Sequence, residues 1–116
     1  MQVTLMKSKL HKAKVTETLI DYEGSIAIDE DLMEAAGILP NEQVHIFDIN
    51  NGQRFITYAI IGTRGSKTIA VNGAAARLVH INDRIIIVAY GIMGLEESKD
   101  FQPKVILLDS DNNAAG

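Results

Sequence analysis

Short strand-like runs fill this chain, at residues 2–6, 10–20, 44–49, 55–61, 68–71, 84–90 and 105–108. They are rich in Val, Ile, Thr, Tyr and Phe and are punctuated by Gly, Asn and Asp, the pattern of a mainly β fold. Asn51-Gly52 lies between two of them, and both residues tolerate positive φ, so a tight turn is expected there. Two short helices interrupt the strands. The clearer one starts at Asp29, whose side chain can cap it, and stops at Gly37 before Leu39-Pro40; Leu32, Ala35 and Ala36 share its inner face. A weaker helix is expected over 74–79 and a single turn over 96–99, while the small polar end from Asp109 to Gly116 should fray. The run Arg84-Ile85-Ile86-Ile87-Val88-Ala89 is apolar on both sides, which suggests one face in a closed core and the other against a partner subunit.

With 116 residues the chain fits one domain, and no apolar run approaches the ~18 residues that cross a bilayer. The start, MQVTLMKSKLHK, lacks a signal-peptide core, so a cytoplasmic protein is expected, with no membrane partner. The absence of Cys removes disulfides, thiolate catalysis and cysteine-built metal sites. His45 and His80 have no companions at metal-site spacing, so no metal is expected. Fifteen acidic against 11 basic residues give a net charge of −4, which disfavours a nucleic-acid partner, as does 5% aromatic content.

Polar groups on apolar strands are the candidates for chemistry, because burying an unpaired charge costs several kcal/mol or shifts a pKa. Lys9 and His11 share one face of an extended strand, and Arg54, Ile56 and Tyr58 share one face of another. A cation beside a phenol offers a carboxylate grip and a proton donor, although solvated strand residues are the commoner meaning of such spacing. Asn72-Gly73-Ala74-Ala75-Ala76 either presents free backbone N–H groups to an anion or is an ordinary strand-to-helix turn. Tyr22-Glu23-Gly24-Ser25 is by itself an ordinary turn. Chemically, Gly before Ser also suits an N→O acyl shift, since Gly allows a strained backbone and the hydroxyl can attack the preceding carbonyl.

Taken together, LHKAKVT at 10–16, YEGSIAID at 22–29, AAGI at 35–38, NGQRFITYAI at 51–60, RGS at 64–66 and VNGAAA at 71–76 resemble the bacterial aspartate 1-decarboxylases, in register along nearly the whole chain. The resemblance implies a six-stranded double-psi β-barrel with short helices, assembled as a homotetramer with active sites between subunits. It implies self-cleavage between Gly24 and Ser25 into a β chain of residues 1–24 and an α chain of residues 25–116, with Ser25 becoming a covalent pyruvoyl group and a maturation factor conceivable. No external cofactor is then needed. The implied reaction takes L-aspartate to β-alanine and CO2, feeding pantothenate and coenzyme A synthesis. By position, Tyr58 is the proton donor, Lys9 and Arg54 hold carboxylate, and Thr57 with the Gly73, Ala74 and Ala75 backbone contacts substrate. His11, Tyr22 and Asn72 match positions that line or support the pocket. Strand alternation sends Thr57 and Tyr58 to opposite faces, so Thr57 serves either self-processing or a neighbouring subunit's site. Two departures, Phe47 where some relatives carry Trp and Ile26 after the nucleophile, bear on pocket shape and processing rate. The alternatives are a non-catalytic oligomeric barrel with an uncut turn at Gly24-Ser25, and a small nucleic-acid-binding barrel.

Overall fold

The computed structural model describes residues 1–115. In chain order it contains β1 (Gln2–Lys14), β2 (Glu17–Leu19), β3 (Ser25–Asp29), α1 (Glu30–Ala36), β4 (Gln43–Asp48), β5 (Arg54–Gly62), β6 (Ile69–Asn72), a 3-10 turn (Gly73–Leu78), β7 (Arg84–Gly94), α2 (Leu95–Ser98) and β8 (Lys104–Leu107). The strands form one ladder in the order β2-β6-β3-β5-β4-β7-β1-β8, with β1–β8, β2–β6 and β3–β5 parallel. The fold is mainly β, as the strand-like runs predict. The ladder counts eight strands rather than six, and among the described residues β2 and β8 do not pair with each other.

The chain itself forces the sheet to curl. β1 and β2 stand seventh and first in the ladder, yet only Val15 and Thr16 separate them. At about 3.3 Å per residue that link is far too short to cross a flat sheet. The two ends meet instead: the Val15 N–H donates to the Asp83 carbonyl at 2.9 Å, and the Thr16 N–H to that of Ile69 at 2.8 Å. Inside the curl pack Leu10, Val15, Ile26, Ile28, Val44, Ile46, Ile69, Ile85 and Ile87, all fully buried. Their alternation along β1, β4 and β7 fixes which face of each strand is the outer one.

Local differences from the sequence expectations have local causes. β1 runs unbroken through Lys7–Lys9, because Lys7 pairs with Glu42 at 2.6 Å and Lys9 points outward while Ser8 and Leu10 point in. Residues 25–29, which lie outside the strand-like runs, form the interior strand β3, flanked by β5 and β6. At Asn51-Gly52 only Gly52 takes positive φ; the turn is wider, with Asp48 Oδ1 accepting the N–H groups of Asn50 and Asn51. The expected helix over 74–79 is a 3-10 turn, and the single turn near 96–99 forms at Leu95–Ser98.

The C-terminal end does not fray over its described residues. Asn112 is buried at φ +60°, and its amide does the work of a backbone strand: Oδ1 accepts from the Lys14 N–H at 2.7 Å, and Nδ2 donates to the Lys14 and Lys67 carbonyls at 2.9 and 3.0 Å. Composition hides this, since one buried amide outweighs seven small or polar neighbours once its bonds are made away from water.

Asp29 does more than cap α1. Besides the Asp31 N–H at 2.8 Å, it accepts the Gly65 and Lys67 N–H groups at 3.0 and 2.8 Å, tying loop 63–67 to the end of β3. Burial opposes its ionisation, but the three N–H groups outweigh it, and its carboxyl titrates below the ordinary range. Asp29→Ala should therefore cost about 3 kcal/mol, read as a lowered urea midpoint. Because the folded pKa is depressed, the charge contributes its full stabilisation above about pH 4 and loses it as pH falls through the lowered pKa. Asp29→Asn should flatten that part of the acid limb, and an unchanged acid limb would refute the assignment.

Candidate active site

Ser25 opens β3 with 1% of its surface exposed, a burial that is uncommon for a serine at a strand start. Its side chain is held on both sides. Asn72 Nδ2 donates to Ser25 Oγ at 3.2 Å, and Oγ donates to the Glu23 carbonyl at 3.4 Å. The contact follows from register, since Ser25 and Asn72 are directly paired in the antiparallel β3–β6 ladder. Asn72 is itself buried, and its Oδ1 has no partner. A buried acceptor left over beside a buried hydroxyl is an expensive arrangement that packing alone does not explain.

The demand for glycine near the Gly24–Ser25 peptide is not where the sequence suggests. Gly37, Gly52, Gly65 and Gly73 take positive φ; Gly24 does not, and a Cβ built on it would meet nothing within 4 Å. The β3–β5 register pairs Ile26 with Ala59, so Ser25 and Tyr58 are the residues directly before the first pair. Along β5, Phe55 and Ala59 face the core, so Thr57 shares the inner side with them while Arg54, Ile56 and Tyr58 face out. Thr57 and Tyr58 thus present opposite faces of β5 just before its first pair with β3.

The cations of the candidate set lie elsewhere on the outer face. Direct pairing across β1, β7, β4 and β5 places Lys9, Val88, His45 and Ile56 in one row. Three strand spacings separate Lys9 from β5, about 14 Å along the sheet, and β3 lies one strand further. Arg54 lies four residues from Tyr58 along β5 and leans onto Phe47, with its guanidinium carbon 4.9 Å from the ring centroid. His45 stands edge-on to Tyr90 at 4.8 Å, and these groups line a depression of about 400 Å³ with Phe55 and Ile56. His11 keeps the Lys9 side of β1, just before a bulge at which Lys12 takes φ +65°. Its Nδ1 is buried without a partner; burial, then the charges of Lys9 and Lys12, hold the imidazole below its ordinary pKa and neutral at pH 7.

A buried Ser25 after an unhindered glycine is a strong pointer to chemistry, but it does not name a family. The profile of the family described as "Aspartate decarboxylase" matches residues 1–115. The chain belongs to the aspartate decarboxylase family. It is 62% identical over 112 residues to the aspartate 1-decarboxylase of Acetivibrio thermocellus, covering 97% of this chain and 89% of that one. It is 59% identical over 112 residues to the aspartate 1-decarboxylases of Phenylobacterium zucineum and Caulobacter vibrioides, covering 97% of this chain and 95% of each of them.

Within this member of the aspartate decarboxylase family, the fold brings Ser25, Asn72, Gly73 and Gly24 together, with Thr57 and Tyr58 just ahead of the first β3–β5 pair. Among the described residues the hydrogen-bond partners of the Ser25 side chain are Asn72 and Glu23, and neither Lys9, His11 nor Arg54 is one of them. Tyr22 is 58% exposed, Ala74 is exposed, and Ala75 packs against the core. Two features escaped the sequence: the second role of Asp29, and the contact of Gly73 with the chain before Ser25. Asp29 had a signal in the loop donors Gly65 and Lys67, but only the fold reveals that they face it.

Proposed function

We propose that this chain is a self-processing L-aspartate 1-decarboxylase that releases CO2 and β-alanine for pantothenate and coenzyme A synthesis in the cytoplasm. The observation that carries this is the buried Ser25–Asn72 contact at the head of β3, directly after an unhindered Gly24, in a chain of this family. In the first step Ser25 Oγ attacks the Gly24 carbonyl carbon. The C–N bond breaks, and the Ser25 nitrogen takes up the hydroxyl proton, leaving an ester. Loss of the Ser25 α-proton expels the Gly24 carboxylate and leaves dehydroalanine. One water then replaces the nitrogen as ammonia, and residue 25 becomes a pyruvoyl group at the head of a 25–116 chain, with 1–24 as its partner. No electrons enter or leave. For a process lasting hours the slowest barrier is about 23 kcal/mol, so a few oriented hydrogen bonds govern the rate. Thr57, on the inner face of β5, and Asn72, whose Oδ1 is without a partner among the described residues, serve this step.

The residues around Ser25 suit that group: Ser25 and Asn72 are buried, and Asn72 offers both a donor and an unused acceptor. A pyruvoyl group at residue 25 would supply an electron sink for the pair released when CO2 leaves the substrate. Tyr58, outward on β5, returns a proton to the substrate carbon. Lys9 and Arg54 hold carboxylate, and the Gly73, Ala74 and Ala75 backbone contacts substrate. His11 and Tyr22 support the pocket, with His11 as a neutral group.

Lys9 lies four strands from Ser25 along the ladder, a spacing that a neighbouring chain can bridge in active sites shared between subunits of a homotetramer. Exposed Ile56, Tyr90 and Ile92 on the outer face, at 59%, 37% and 70%, supply apolar surface for that assembly. The short link between β1 and β2 supports the double-psi β-barrel of the family. A maturation factor could accelerate the cut without altering these assignments.

The direct test incubates the cleaved protein with L-aspartate and, separately, L-glutamate, and measures CO2 and β-alanine. β-Alanine is expected from L-aspartate; cleaved protein that yields none refutes the proposal. The runner-up, a non-catalytic barrel, predicts an uncut chain and no product.

A further inference from the structure

Gly73 is the most tightly hemmed glycine among the described residues. A Cβ built on it would stand 2.6 Å from the Gly24 Cα, 2.7 Å from the Gly24 nitrogen and 2.9 Å from the Tyr22 carbonyl oxygen, all of them backbone atoms. These distances lie well inside contact, so either the 22–24 segment or the turn after β6 must withdraw by about 1 Å if residue 73 carries any side chain. Gly52 takes nearly the same φ, +76° against +77°, yet a Cβ there meets nothing within 4 Å. The need for glycine at 73 is therefore a need for close approach as well as for left-handed backbone. What approaches is the acyl side of the Gly24–Ser25 peptide, while the neighbouring residue, Asn72, holds Ser25 Oγ from the other side.

We infer that Gly73 is a positioning residue for self-cleavage: it seats the Tyr22–Gly24 backbone on the turn after β6, so that the Gly24 carbonyl carbon is presented to the hydroxyl held by Asn72. This rests on the self-cleavage proposed above and concerns the precursor, before any substrate is bound. The attacking and attacked groups are then fixed by adjacent residues, 72 and 73, of a single turn. A displacement of about 1 Å at one of them is enough to cost about 100-fold in a reaction between held groups.

The test follows cleavage of freshly made full-length protein by intact mass, for wild type, Gly73→Ala, Gly73→Asn and Gly52→Ala, with circular dichroism of each. Asn tolerates positive φ but carries a Cβ, so it separates close approach from backbone conformation. Gly73→Ala and Gly73→Asn should fold and cleave about 100-fold more slowly than wild type, with Gly52→Ala close to wild type. Hydroxylamine, which cuts the ester intermediate, should release no extra fragment from either slow variant, because the first acyl shift is what fails. Wild-type cleavage rates in Gly73→Asn overturn the inference. So does accumulation of a hydroxylamine-sensitive ester, or a variant that is unfolded at every temperature, which assigns Gly73 to the fold alone. A wild-type chain that never cleaves would overturn the self-cleavage proposal along with it.

Discussion

Ser25→Ala is expected to remain a single 116-residue chain with no decarboxylase activity, while wild type resolves into two fragments meeting between residues 24 and 25. Ala keeps the backbone but removes the hydroxyl held by Asn72 and, with it, the source of the electron sink. The loss of activity should be complete rather than partial, because the prosthetic group is built from the atoms of residue 25 itself and no neighbour can supply them. Folding should survive, since the only partners forfeited are Asn72 Nδ2 and the Glu23 carbonyl, at 3.2 and 3.4 Å. Intact mass under denaturing conditions, followed by CO2 release from L-aspartate, reads both effects. A Ser25→Ala chain that still separates into residues 1–24 and 25–116 would falsify the assignment of the nucleophile.

Tyr58→Phe should separate the two chemistries. Self-cleavage should proceed, as Tyr58 lies on the outer side of β5, opposite to Thr57. Turnover should fall about 10²- to 10⁴-fold, the range for loss of a positioned proton donor, with most of the change in kcat. An unchanged kcat would remove Tyr58 from the mechanism. Co-expression adds a geometric check. Lys9→Ala chains combined with Ser25→Ala chains should regain activity, because in a mixed oligomer one chain supplies residue 25 and its neighbour supplies Lys9. Tyr58→Phe combined with Ser25→Ala should not, because Tyr58 directly precedes Ala59, which pairs with the Ile26 that follows Ser25 in the same chain. Recovery in the second mixture and none in the first would reverse these origins.

Linear sequence determined what depends on neighbouring residues. The α1 cap at Asp29 and its stop at a left-handed Gly37 were legible because capping acts over one to three residues, and both formed. The outer faces of β1 and β5 followed from alternation. Six motifs in register named the family, and with it a set of chemical groups. The tertiary structure decided what depends on which distant segments touch. It turned residues 25–29 into an interior strand, since parallel pairing with β5 gives no local signal. It buried Asn112 against Lys14 and Lys67, almost a hundred residues apart in the first case, so that a tail polar by composition is fixed by three hydrogen bonds. It also moved the demand for glycine from Gly24, where the chemistry suggested it, to Gly73, where the backbone of another segment passes within van der Waals contact. Steric exclusion of this kind is a property of two segments at once, and neither one's sequence contains it.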